Sequence, residues 1–167
     1  MLALVAHGSK MGGTQGLAEM VADALRSRGV DAEVRPAAEV RDLAPYDAVV
    51  IGGALYASRW HRDARRFVKR HATALRGLPT YFFSSGPLDD SAPITDIPPV
   101  RGVRRLMARV DARRHVTFGG RIPADATGFP AGVMAKSNAG DWRDPDHVRS
   151  WVSSIVPELR RQHADAA

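Results

Sequence analysis

Apolar positions along the chain follow two alternating spacings. A continuous run, Leu2-Ala3-Leu4-Val5-Ala6, predicts a buried strand; apolar positions then return at helical spacing at Leu17, Met20, Val21 and Leu25. Residues 30–35 alternate as a half-buried strand, and the run Val49-Val50-Ile51 within residues 46–53 predicts a strand covered on both faces. A stripe at Ala64, Phe67, Val68, His71 and Leu75 predicts one helix, followed by a strand over 80–84, a basic helix over 103–110 and a strand over 115–119. The last helix carries its own start signal: Asp144 is a good N-cap, Pro145 suits the first helical position, and Val148, Trp151, Val152, Ile155 and Leu159 keep helical spacing. Five strands separated by helices predict an α/β fold with a parallel sheet covered on both faces. Residues 91–99 and 121–141 read as long loops punctuated by Gly and Pro, and no repeat or linker divides the 167 residues, so one domain is expected.

The turn after the first strand is the richest local signal. His7-Gly8-Ser9-Lys10-Met11-Gly12-Gly13-Thr14 passes from strand to helix through small and hydroxyl residues, which exposes free backbone N–H groups at the positive end of a helix. Gly8 and Gly13 have the spacing of a nucleotide P-loop, but Thr14-Gln15 stand where Lys and a Ser or Thr should follow. The loop suits a monophosphate better than a nucleoside triphosphate. Taken alone, it is equally consistent with a tight turn that holds no ligand.

Ligands of open parallel sheets sit beyond the carboxyl ends of the strands, so four segments bear on function: 7–14, 53–61, 84–90 and 119–122. The second places Tyr56 and Trp60 in what reads as an exposed loop; each either stacks on a flat ring or packs on the following helix. The third, Ser84-Ser85-Gly86-Pro87, offers hydroxyls and backbone N–H groups suited to the polar edge of a heterocycle, or forms an ordinary turn.

Composition narrows the classes. The chain has no cysteine, which excludes disulfides, iron–sulfur ligation and thiol catalysis within it. The first apolar run is too short for a signal peptide or a spanning helix, and a cytoplasmic protein is expected. A formal charge of +6 favours acidic partners: nucleic acid, an anionic membrane surface or a polycarboxylate.

Ser9-Lys10-Met11-Gly12-Gly13-Thr14 resembles the phosphate loop of flavodoxins. The block at 46–53, with the Tyr, Trp and His that follow it, is similar to that of the flavodoxin-like menaquinone-dependent protoporphyrinogen IX dehydrogenases. The likeness runs on through 67–75 and Tyr81-Phe82-Phe83-Ser84 and returns at Asp141-Trp142-Arg143-Asp144. It implies a flavodoxin-like three-layer αβα sandwich, its five-stranded parallel sheet in order 2-1-3-4-5, holding one FMN without a covalent link. Carried over by position, Ser9, Lys10, Met11, Gly12, Gly13 and Thr14 would wrap the FMN phosphate. Ala54, Leu55, Tyr56 and Trp60 would flank one side of the isoalloxazine, and Ser84, Ser85, Gly86 and Pro87 would meet its other side and pyrimidine edge. The implied function is FMN-dependent oxidoreduction, with a quinone or a redox protein as electron partner; the alternative is a flavodoxin that only shuttles electrons. The quinone-linked relatives carry a long basic and aromatic insertion after the fifth strand, where this chain has only Phe129 and Lys136 of that character. Electron-carrier flavodoxins are acidic, and this chain is not. A basic rim would attract a substrate bearing carboxylates, or an anionic bilayer at which the protein would sit peripherally.

Arg59, Arg62, Arg66 and Lys69 are read as one solvated helix face, and Arg101, Arg104, Arg105, Arg109, Arg113 and Arg114 as a second basic cluster open to anion docking. No helix-turn-helix, RNA-binding or finger signature accompanies them, so nucleic acid is not an expected partner. The six histidines have no metal-ligand spacing and no metal is expected. His61, beside Trp60, is either a proton relay at the crevice or the start of the next helix. No G-x-S-x-G elbow surrounds Ser84 or Ser85, which leaves a hydrolase triad without an anchor.

Overall fold

The computed structural model describes residues 1–9, 12–125 and 139–166; Lys10, Met11, Phe129 and Lys136 lie outside them. In chain order the elements are β1 (Leu2–Gly8), α1 (Gly13–Arg26), β2 (Asp31–Pro36), β3 (Ala48–Tyr56), β4 (Arg59–Trp60), α2 (Arg62–Arg70), α3 (Ala72–Arg76) and β5 (Thr80–Ser85). There follow α4 (Arg101–Val110), β6 (Arg114–Phe118), β7 (Arg121–Ile122), β8 (Gly140–Asp141) and α5 (Pro145–Ala166). Five strands pair in parallel in the order β2-β1-β3-β5-β6, which is 2-1-3-4-5 when the parallel strands are counted along the chain.

The pleat sends successive side chains to opposite faces, so each strand feeds two cores. Val5, Val50, Phe83 and Phe118 meet Leu17 and Val21 of α1 and Val152 and Ile155 of α5. Their neighbours Leu4, Ile51 and Phe82 meet Phe67 of α2 and Leu106 of α4 on the other face. The result is a three-layer αβα sandwich. The signalled start of α5 is present: Asp144 Oδ1 accepts from the backbone N–H of Asp146 at 2.8 Å and of His147 at 3.3 Å.

Three expectations need correction. The stripe from Ala64 to Leu75 is two helices that break at His71, where the backbone leaves helical geometry (φ −101°, ψ 18°). There Arg70 donates to the carbonyls of Ala37 and Val40 at 3.2 and 2.9 Å, tying the end of α2 to a neighbouring loop. The loop after the third parallel strand is a hairpin: β3 runs on to Tyr56 and pairs antiparallel with β4, Leu55 against Trp60 and Tyr56 against Arg59. Ala57 and Ser58 make the two-residue turn in left-handed conformations, φ 46° and 60°. Arg59 therefore sits on a strand, apart from the helical Arg62, Arg66 and Lys69. Finally, the ends of the 121–141 stretch pair as the antiparallel β7 and β8. Among the described residues no helix is long and apolar enough to cross a membrane.

Candidate functional site

The carboxyl ends of β1, β3 and β5 and the chain leaving β6 surround an open cleft. One end of it is the start of α1. Gly12 holds the N-cap position in a left-handed conformation (φ 71°), which glycine adopts without the steric cost of a β-carbon. The N-cap residue makes no side-chain cap hydrogen bond and no acidic residue lies in the first turn, so among the described residues no side-chain charge offsets the positive end of the dipole there. Thr14 is 1% exposed and lines the cleft with Ser9 and Gly13. Its Oγ1 is buried and has no hydrogen-bond partner. An unpaired buried hydroxyl costs about 1–3 kcal/mol, a penalty that an oxyanion seated on the helix end would remove.

Ala54, Leu55 and Tyr56 form one wall together with Ala57 of the turn; Ser85 and Gly86 form another with Leu88. Pro87 is not among the residues lining the cleft; its carbonyl accepts from the Gly120 N–H at 2.8 Å, and the Gly86 N–H donates to Phe118 O at 3.0 Å. These bonds fix the 86–87 turn to the end of β6.

Trp60 and Ser84, expected on the walls, are placed behind them. Trp60 is 2% exposed and its indole lies under Gly53, where a β-carbon would come within 2.6 Å of the ring. It stacks on Phe82 with centroids 4.8 Å apart, and Nε1–H donates to Ser84 Oγ at 2.8 Å. Ser84 Oγ in turn meets His115 Nε2 at 2.8 Å. Burial drives His115 down to about 4, so its ring is neutral near pH 7, and Ser84 Oγ, which accepts from the indole, shares one hydrogen bond with it. The physical reason is strand alternation: Ser85 faces the cleft, and Ser84, one residue earlier, faces the lower layer.

His61 occupies the N-cap of α2. Its Nδ1 accepts from the Asp63 N–H at 3.4 Å, and its ring meets Tyr56 edge-on with centroids 6.0 Å apart. His7, at the end of β1, is buried, which lowers its pKa.

Residues beyond the sequence-based set complete the cleft: Ala57, Leu88, Gly120, Arg121 and Ile122. Arg121 is the charged one among them. It stands opposite Asp141 in the β7–β8 pair, with Arg121 Nε 3.8 Å from Asp141 Oδ2. Asp141 is already taken by Arg143, whose Nε and Nη2 donate to its two oxygens at 2.7 and 2.5 Å. Those hydrogen bonds hold the Asp141 carboxyl below its ordinary range, and Arg121 contributes least to the shift. Segment 119–122 is recognisable from sequence as a strand exit, but nothing local announces the cross-strand partner of Arg121.

The second basic cluster divides in two. Arg113 and Arg114 both pair with Glu158, each at 3.2 Å. Arg101, Arg104, Arg105 and Arg109 are exposed on α4, and no ion pair engages them among the described residues.

Known proteins place these observations. Solved structures with the same fold include a Streptococcus pneumoniae TIGR4 flavodoxin (TM-score 0.63, 17% identity, 95% of this chain and 99% of that one). Another is rubredoxin oxygen:oxidoreductase from Desulfovibrio gigas (TM-score 0.66, 9% identity, 98% of this chain and 37% of that one). Among curated proteins, protoporphyrinogen IX dehydrogenase [quinone] of Escherichia coli K12 is 31% identical over 86 residues, 50% of this chain. The match spans 48% of that relative, about half its length. The family model described as Flavodoxin domain matches residues 4–130, and the chain belongs to the flavodoxin domain family.

Proposed function

We propose that this protein holds one FMN without a covalent bond and works as an oxidoreductase. The observation that carries the reading is Thr14 Oγ1, a buried hydroxyl without a partner at an uncapped helix end, opening on a cleft with a neutral, partly apolar wall. Residues and cofactor fit each other at both ends. Ser9, Gly12, Gly13 and Thr14 would take the phosphate through N–H groups and hydroxyls. Ala54, Leu55 and Tyr56 on one side and Ser85 and Gly86 on the other would sandwich the ring system and exclude water from it. When bound, FMN supplies reversible one- and two-electron chemistry. The chain binds it, orients it and sets the polarity around it. His61, whose ring touches the cleft wall at Tyr56, is the candidate for moving a proton between the site and solvent.

The partial likeness to a quinone-linked dehydrogenase supports a quinone as electron partner and an anionic substrate of the porphyrinogen kind. The unpaired arginines of α4 support an anionic partner, either such a substrate or an acidic surface at which the protein docks. Transfer between redox proteins, without a substrate of its own, is the second reading, and the flavodoxin domain itself favours it.

The visible spectrum of the purified protein tests the cofactor, with the chromophore identified after denaturation. Flavin bands from released FMN are expected. A colourless protein that also takes up no added FMN would sink the proposal. Anaerobic addition of substrate alone separates the two readings, since only a dehydrogenase bleaches without a reductase.

A further inference from the structure

We infer that Arg121 is a specificity residue for the phosphate: it supplies a positive charge that helps this cleft prefer a phosphorylated flavin over the unphosphorylated one. The inference rests on the cofactor reading above and adds to it a residue outside the loop that wraps the phosphate.

The end of α1 alone is a weak counter-charge for a phosphate monoester. A helix N-terminus is worth roughly half an elementary charge, against nearly two negative charges on the ester at neutral pH. Of the loop, the described residues Ser9, Gly12, Gly13 and Thr14 are neutral, and its one cation, Lys10, lies outside the described residues. Arg121 stands beside them. A β-carbon built on Gly13 would lie 3.5 Å from Arg121 Cβ and 3.4 Å from its carbonyl oxygen, so the arginine stem leaves its backbone in contact with the first residue of α1. The residue lines the cleft with Ser9, Gly13 and Thr14.

Its present partner leaves it available. The two oxygens of Asp141 are filled by hydrogen bonds from Arg143, and Arg143 is placed against Gly16 in the first turns of α1. Arg121 is left with a 3.8 Å ion pair to a carboxylate already neutralised by another guanidinium, on a side chain 42% exposed. Two guanidinium groups thus face one carboxylate, and the surplus charge sits at the mouth of the site. A pair of this length between exposed groups is weak, whereas a guanidinium forks two hydrogen bonds onto a phosphate. Thr14 Oγ1, buried and unpartnered among the described residues, is an independent polar group that an oxyanion at this end would satisfy.

Titration of the apoprotein with FMN and with riboflavin tests this, using the wild type, Arg121→Gln and Arg121→Lys. Arg121→Gln is expected to weaken FMN roughly ten- to a hundredfold, the usual range for a hydrogen bond to a charged group, and riboflavin less than about twofold. Arg121→Lys should recover part of the loss and keep the salt dependence of FMN binding that Arg121→Gln loses. Equal losses for the two flavins, or none for FMN, overturn the inference and leave the cofactor reading intact. If the wild type binds neither flavin, the cofactor reading fails; inorganic phosphate then decides Arg121 by itself, through a thermal shift that Arg121→Gln abolishes or keeps. Because Arg121 is exposed, apoprotein melts of the variants are expected to overlay the wild type.

Discussion

The two ends of the cleft are built by different means. The proposed phosphate end is a strand-to-helix turn in which consecutive residues, Gly12, Gly13 and Thr14, present backbone and one hydroxyl, left without a partner among the described residues. The proposed ring end is a wall whose shape depends on what lies behind it: a hairpin with a strained turn, backed by a hydrogen-bonded line from Trp60 through Ser84 to His115. Polar groups at the first end await a ligand, while those at the second already satisfy one another. Substitutions should therefore affect affinity at the phosphate end and stability at the ring end.

The strongest test is Trp60→Ala. Loss of a buried indole stacked on Phe82 and filling the space over Gly53 should cost about 3–5 kcal/mol in urea unfolding. A loss below about 1 kcal/mol would mean that the wall stands without its support.

Acid probes the same support. His115 titrates at about 4 in the folded protein against 6.5 in the unfolded chain, so between those values the unfolded chain binds the proton and the folded one does not. Its contribution is complete above pH 6.5 and is lost as pH falls toward 4, a change of about 3 kcal/mol. His7, His71 and His147 are lowered mainly by burial and slope the same way. Unfolding free energy measured from pH 7.5 to 4 should fall, and His115→Gln should flatten the largest part of that fall. An unchanged slope in the variant would remove His115 from the account.

At the other end the expected sign reverses. Thr14→Val keeps the shape and deletes a hydroxyl that has no partner, so the apoprotein should hold its stability or gain up to about 1 kcal/mol. FMN affinity should drop about tenfold at the same time. A variant that loses stability and keeps its affinity would place the Thr14 hydroxyl in the scaffold.

Legibility from sequence divides along the same line. The strands, the helices and the start of α5 rest on local periodicity and on caps within a few residues, all visible in one dimension, whereas the strand order follows from the resemblance to flavodoxins and not from periodicity. The phosphate loop is local too: Gly12, Gly13 and Thr14 are adjacent in the chain and in the site. The position of Trp60 is set by a hairpin turn that lacks the usual Asn-Gly signal, its left-handed positions being Ala57 and Ser58, and that of Ser84 by which face of β5 turns to the cleft, which no local signal records. Arg121 escaped for a longer-range reason. Its role comes from pairing with Asp141 twenty residues away and from Arg143 having filled that carboxylate, and neither pattern nor propensity records either fact.

The smallest effect is expected at the turn that misled the sequence. Ser58 holds φ 60°, where a residue with a β-carbon stands roughly 1 kcal/mol or more above its ordinary conformations. Ser58→Gly removes that strain and restores the residue type that two-residue hairpin turns favour at their second position, but it also frees the unfolded chain, which takes back about half of the gain. The net should be a rise in Tm of roughly 1–3 °C. Because Ala57 lines the cleft beside this position, a looser turn should also weaken FMN slightly while leaving Thr14 and Arg121 untouched. A rise in Tm with an unchanged FMN affinity would show that the turn's strain serves no purpose at the ring end. A fall in Tm would show that Ser58 is held there by contacts worth more than its backbone strain.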